Sequence, residues 1–201
     1  MARKFKRSPL ALAVLALLHE EPMHPYKMQR LIKERGKDQV IKVEQRASLY
    51  QTIDQLLRAD LITFWETARA EGFPERTVYK LTDKGRQTAI VWLREMISMP
   101  AQEYPEFPAA ISLLPLLTPE DAVQQLEQRE ARLRQQMAAQ DQEIAAYASD
   151  LPRLFLLESE YMRAVWEAEL NWVRSLIADL RSGAITWSHE WLKPFAAPKD
   201  E

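Results

Sequence analysis

A chain of 201 residues, 47% of them hydrophobic, can bury a real core as one large or two small domains, which excludes wholesale disorder. It has no cysteine, which excludes structural disulfides, thiolate metal sites and cysteine redox chemistry, and fits a reducing, cytoplasmic setting. The net charge of −2 conceals a polarity: residues 1–98 hold eighteen Lys+Arg against twelve Asp+Glu, a net +6, while residues 99–201 hold nine against seventeen, a net −8. A half that can meet phosphate is joined to a half that repels it.

The opening MARKFKRSPLALAVLALL has the basic-then-apolar order of a signal peptide. The apolar run is shorter than the roughly 20 residues that span a bilayer, and HEEPMHP follows with no small-residue cleavage site. It reads instead as a basic arm followed by a helix from Pro9 to His19, apolar on nearly all sides and so covered on several faces. After a turn at 21–25, Tyr26 to Arg35 carries Met28, Leu31 and Ile32 at helical spacing. Leu49, Ile53, Leu56 and Leu57 then give another helix an apolar face, with Ala47, Ser48, Gln51, Asp54, Gln55 and Arg58 opposite. Leu61 to Glu66 is a short β-branched and aromatic strand, and Arg76 to Leu81 alternates, Thr77, Tyr79 and Leu81 on one side and Arg76, Val78 and Lys80 on the other. Gly72 and Pro74 turn the chain between them. Thr82 caps a helix to about Ser98, to which Ile90, Leu93 and Ile97 give an apolar face. Within residues 46–85, helix, strand, hairpin tip, strand and helix in this order make a winged helix, whose recognition helix carries Leu49, Ile53, Leu56 and Leu57.

Residues 99–119 hold five prolines and one short apolar helix, Ala109 to Leu117, and read as a connection. Thr118-Pro119-Glu120-Asp121 starts a long helix to about Ala148, with Val123, Leu126, Leu133, Met137, Ile144 and Tyr147 at a 3-4 spacing that Glu130 and Gln140 interrupt. Pro152 breaks it, and a second long helix covers about Arg153 to Arg181. This helix carries two apolar stripes: Met162, Trp166, Leu170, Val173, Ile177 and Leu180, and Tyr161, Val165, Ala168, Trp172 and Leu176. Two stripes need two neighbours, so the acidic half reads as a dimerisation arm, with the first stripe assigned to the interface. The fold class is therefore mainly α with a small β-hairpin. A winged helix-turn-helix domain (1–98) and the connection (99–119) lead to an antiparallel long-helix dimerisation domain (120–195) and a tail (196–201).

At this point the residues resemble the PadR-like transcriptional regulators, in particular members with a long helical C-terminal domain. The resemblance rests on LALLHEEPMHPYKM, on SLYQTIDQLLRADLI with Leu49-Tyr50 and Leu61-Ile62, on RTVYKLTDKG, and on AELNWVRSLIADLR. Gln45 stands where the family often has a small hydroxyl residue and Ala47 where glycine is frequent. The resemblance implies a dimeric, usually repressing regulator that binds an operator in double-stranded DNA, palindromic to match the dimer, and lets go when a small-molecule effector or stress is sensed. It implies no cofactor, no catalysis and no membrane.

Recognition helices present their N-terminal residues to base edges in the major groove. Gln51 is the first candidate, because a carboxamide pairs bidentately with adenine; Ser48 and Gln55 follow. In isolation these residues would read as solvated helix surface. Tyr26 and Lys27 open a helix whose N-terminus favours an anion, and Tyr50 can either pack its ring or turn its hydroxyl to a phosphate. Arg69, Arg76 and Lys80 of the wing suit phosphate neutralisation or minor-groove contact. Arg3, Lys4, Lys6 and Arg7 either add to these contacts or only solubilise. The six tryptophans fit core and interface packing, or stacking on a flat effector, whose residues stay unassigned. His19, His24 and His189 lack metal-ligand spacing, and no P-loop, GxGxxG or GxSxG is present. The alternative to a DNA reader is a winged-helix protein–protein interaction module, against which the basic half argues.

Overall fold

The computed structural model describes residues 7–42, 46–68, 76–147, 149–188, 190, 191 and 193. The chain divides into two compact units, Met1–Gln102 and Glu103–Glu201. Among the described residues the secondary structure is mostly helical, with one two-stranded antiparallel sheet.

The first unit contains α1 (Pro9–Glu20), α2 (Pro25–Glu34), α3 (Arg46–Arg58), β1 (Ile62–Ala68), β2 (Arg76–Leu81) and α4 (Asp83–Ser98). The Ser8 hydroxyl accepts the Ala11 N–H at 3.1 Å and starts α1, with Pro9 in its first turn. α1 packs against α2, α3, α4 and β2, which is why Leu10, Ala11, Val14, Leu15, Leu17 and Leu18 are all buried. Met28 and Ile32 of α2 and Leu49, Ile53 and Leu56 of α3 complete this core with Leu61 and Ile62.

The turn out of α3 is fixed by its backbone. Asp60 adopts φ 58°, its N–H is donated to the Leu57 carbonyl at 3.0 Å, and the Leu61 N–H reaches the Leu56 carbonyl at 3.0 Å. This paired closure ends a helix at a left-handed residue, which aspartate tolerates better than most. β1 then pairs with β2 from Ile62↔Leu81 to Ala68↔Arg76, with an irregularity that leaves Trp65 outside the register. A third backbone segment joins the sheet as a bridge: Met23 and Tyr79 exchange N–H···O bonds of 3.1 Å in both directions. The wing is thereby tied to the turn before α2.

α4 starts on Thr82, whose hydroxyl accepts the Gly85 N–H at 2.9 Å. Its orientation differs from the sequence reading. Gly85 is buried, Ala89 and Trp92 pack on the core, and Ile90, Leu93 and Ile97 lie on the exposed side. The close approach of Gly85 to the Leu61 backbone decides this rotation, because a face led by glycine can come nearer than one led by isoleucine.

The second unit contains α5 (Glu106–Ser112), a 3₁₀ turn (Leu114–Leu116), α6 (Pro119–Tyr147), a 3₁₀ turn (Arg153–Phe155) and α7 (Leu157–Ser182). α5 begins three residues before its expected start, because Pro108 falls in the first turn, where a missing N–H costs nothing. α6 and α7 run antiparallel, as shown by ion pairs from Glu127 with Arg181 near one end to Asp141 with Arg163 near the other, with Glu130–Arg174 and Arg129–Glu169 between them. The Arg174 guanidinium, 2.8 Å from Glu130, holds that carboxyl below the usual carboxylate range. Glu130 and Gln140, which interrupt the apolar spacing of α6, are thus accommodated: Glu130 takes Arg174 and Arg134, and buried Gln140 donates to Glu143 at 3.3 Å.

The seam between α6 and α7 corrects one assignment. Leu170, Val173, Ile177 and Leu180 are buried against Ala122, Leu126 and Leu133 in the same chain, Trp166 packs on this cluster and Met162 is half-buried. That stripe is occupied by α6, which supplies the neighbour that the sequence reading gave to a partner subunit. Of the other stripe, Leu176 is also buried, while Tyr161, Val165 and Trp172 are exposed. The proline-rich segment set apart as a connection contributes to this unit, since Phe107, Ile111 and Leu114 pack on its core and the Trp187 indole N–H is donated to the Leu117 carbonyl at 2.9 Å.

Candidate nucleic-acid interface

α3 turns its two faces to opposite duties. Leu49, Ile53 and Leu56 are buried to 1% exposure or less, and Ala47, Tyr50, Gln51, Asp54, Gln55 and Arg58 are exposed. Ser48 is half-buried, and its carbonyl accepts the Thr52 hydroxyl at 2.8 Å. Of the three expected base-reading residues, Gln51 and Gln55 thus lie on the open face and Ser48 at its border. Tyr50 is 52% exposed, so its ring is not consumed by the core. The Tyr79 hydroxyl of β2 is pushed above its ordinary value by burial first, then by Asp54 and Tyr50, so the wing and this part of α3 sense each other's charge.

The start of α2 is built by an imidazole. His24 Nδ1 accepts the Lys27 N–H at 3.1 Å and so serves as the N-cap, with Pro25 next. Tyr26 follows, 52% exposed, with its ring stacked beside His24 at 6.2 Å between centroids. The Arg76 guanidinium from β2 lies over the Tyr26 ring at 5.7 Å and 3.5 Å from His24 Nε2. Burial first, then Arg76, Lys27 and Arg30, hold His24 below the usual histidine range. A neutral ring is what the cap requires, since a protonated Nδ1 cannot accept. Lys27 forms a 2.7 Å ion pair with Glu21. An exposed pair of this kind is worth about 0–1 kcal/mol and exchanges readily for another anion.

On the hairpin, Arg76 and Lys80 lie on one face of β2 with buried Val78 between them. Lys80 Nζ sits 4.0 Å from the centre of the Trp65 ring. Arg69 lies outside the described residues. Three side chains escaped the sequence reading. His24 was passed over because histidine is not a usual cap, although its place directly before Pro25 at a helix start was the available signal. Trp65 was counted only among the tryptophans, and nothing in the sequence announces a bulge. Asp54 was placed on the open face without a role; a carboxylate there can accept from cytosine N4 and disfavours nearby phosphate.

The second unit has its own concavity, an open groove of about 630 Å³ lined by Phe107, Ile111, Leu114, Leu126, Arg129 and Leu133. Arg129 is already engaged there, with Glu169 and over the Phe107 ring at 3.6 Å. Among the described residues no cluster of His, Asp and Glu is gathered as a metal site, and no helix is long and apolar enough to cross a membrane.

Comparison with known proteins agrees with this geometry. Residues 14–90, from within α1 through the hairpin into α4, match the model of the transcriptional regulator PadR-like family. This segment belongs to the PadR-like family. No curated protein matches the chain. Among solved structures it is similar to Bacillus subtilis PadR in complex with operator DNA, at 18% identity and a TM-score of 0.68 over 86% of this chain and 99% of that one. It is similar as well to the same protein in complex with p-coumaric acid (18% identity, TM-score 0.69, 86% and 98% covered). A third is the Vibrio cholerae virulence activator AphA (19%, 0.64, 86% and 98%). At these identities the structures show a shared fold, whose 86% coverage extends into the helical second unit. The matched family is one of transcriptional regulators rather than enzymes.

Proposed function

We propose that the protein is a dimeric, sequence-specific DNA-binding transcriptional regulator, acting as a repressor that a small-molecule or stress signal releases. The observation that carries this reading is the open face of α3. A helix whose apolar side is locked into a three-helix core presents Gln51 and Gln55 outward, within a basic half of net +6. In the major groove Gln51 and Gln55 read base edges with Ser48 at the border, and Tyr26, Lys27, Tyr50, Arg69, Arg76 and Lys80 contact phosphates. Tyr26 at the capped start of α2 adds its hydroxyl to backbone N–H groups that favour an anion. One similar structure, Bacillus subtilis PadR, was solved with operator DNA, which supports the same role for this fold here.

Dimerisation is supported by large apolar residues that are exposed on single helices. On α7 these are Tyr161, Val165 and Trp172, and on α4 Ile90, Val91, Leu93 and Ile97, of which Ile97 is 78% exposed. Such residues are rare in contiguous sets on a monomer. Two copies would present two recognition helices, hence a palindromic operator. The p-coumaric acid bound to Bacillus subtilis PadR supports a small aromatic effector for this protein as well. The test is a competition assay with the natural upstream DNA and a random duplex of equal length. Preference for the former that Gln51→Ala removes supports base reading; equal affinity for both duplexes would leave the protein-interaction reading in its place.

A further inference from the structure

Both cations of β2 are seated on aromatic rings that come from other elements. Arg76 lies over Tyr26 of α2 at 5.7 Å, and Lys80 over Trp65 of β1 at 4.0 Å. The second seat is the more unusual. The pairs Phe64↔Tyr79 and Glu66↔Val78 leave Trp65 without an opposite residue, so Trp65 is the extra residue of a β-bulge. Thr63 is paired with Lys80, so Trp65, two residues on, lies on the same face of the sheet, and its indole sits under that lysine while staying 48% exposed. Phe64 beside it is 53% exposed, and neither residue belongs to the buried core of this unit. A lysine side chain has many rotamers and a compact, well-hydrated charge; on an open strand it would sample most of them. The ring face attracts the ammonium and narrows that choice.

We propose that Trp65 is a positioning residue for DNA backbone binding: its indole lies under Lys80 so that the ammonium is pre-placed for a phosphate on that face of the wing. The inference rests on the reading of β2 as a backbone-contacting strand. Trp65 itself need not touch DNA. Its contribution is to reduce what Lys80 loses in freedom on binding, which affects every sequence alike.

The test is a set of anisotropy titrations with the full chain, on its own upstream DNA and on a random duplex, across a salt series. The proteins are wild type, Lys80→Ala, Trp65→Leu, Trp65→Phe and the double variant Trp65→Leu/Lys80→Ala. Loss of one phosphate contact lowers affinity on both duplexes and reduces the salt slope by about 1 in Lys80→Ala. Trp65→Leu weakens binding about two- to five-fold, the range for a cation–π contact at an exposed site, and moves the salt slope towards that of Lys80→Ala. Trp65→Phe keeps a ring face and restores most of the affinity, which separates positioning from a folding defect. The double variant binds no more weakly than Lys80→Ala alone, because Trp65 acts only through that lysine. Additive losses in the double variant, or wild-type affinity for Trp65→Leu where Lys80→Ala is impaired, would overturn the proposal. Wild-type affinity and salt slope for Lys80→Ala would instead overturn the reading of β2 on which it rests.

Discussion

Gly85→Ala is the sharpest structural perturbation this chain offers. A Cβ at that position would stand 1.9 Å from the Leu61 carbonyl oxygen and 2.9 Å from both the Leu61 carbonyl carbon and Leu81 Cδ1. A carbon approaches a carbonyl oxygen no closer than about 3.3 Å, so α4 must withdraw by roughly 1.4 Å. The obstacle is backbone and cannot rotate away. The same carbonyl accepts the Thr82 N–H at 3.2 Å and the Thr82 hydroxyl at 3.0 Å, and both bonds stretch past their useful range in such a shift. Overpacking costs about 1–3 kcal/mol and each lost hydrogen bond about 0.5–1.5 kcal/mol. The better helix propensity of alanine returns about 0.5–1 kcal/mol. The middle of these ranges is a loss of about 3 kcal/mol, or a Tm lower by about 12–24 °C for a unit of this size. Urea titration followed by tryptophan fluorescence measures it, with Gln87→Ala on the exposed side of α4 as the control. A Gly85→Ala protein within about 0.5 kcal/mol of wild type, a range typical of surface substitutions, would refute the argument.

Gln51→Ala relaxes preference for the operator by about 1–3 kcal/mol while sparing binding to random DNA; equal losses on both would remove Gln51 from base reading. His24 gives the first unit a pH dependence. Its folded pKa lies below the ordinary value, so the unfolded chain takes up the proton more readily; stability is intact above about pH 6.5 and declines as pH falls through that value towards the folded one. His24→Asn keeps a capping side chain without titrating there, and its stability profile is correspondingly flatter between pH 7 and 5; an unchanged profile would show that the cap does not titrate. Val165→Lys, a charge on the exposed stripe of α7, converts a sedimenting dimer to a monomer, whereas a wild-type monomer at micromolar concentration would refute the dimer itself.

The recognition helix and wing are legible because the spacing of apolar residues changes from helical to alternating within residues 46–81, and because Thr82 and Asp83 announce the next helix. Gln51 and Gln55 follow from that spacing, since opposite to Leu49, Ile53 and Leu56 can only mean outward. Other features depend on distances that a sequence does not contain. α4 has apolar residues on more than one side, and only the approach of Gly85 to Leu61 selects the buried one. α7 shows two stripes, and which of them takes α6 is settled by matched ion pairs such as Glu130–Arg174. The seating of Lys80 on Trp65 depends on the pairing of the two strands, which sets Thr63 opposite Lys80 and Trp65 diagonal to it.

Operator binding is the centre of the account, and a mobility-shift titration of the purified chain on the DNA upstream of its own gene, repeated across a salt series, measures it most directly. The account predicts a retarded complex of two chains per site, tighter than random DNA by about 10³-fold or more at physiological salt, with affinity falling linearly on a log–log plot as salt rises. Equal affinity for random DNA, or no complex even at low salt, would contradict it.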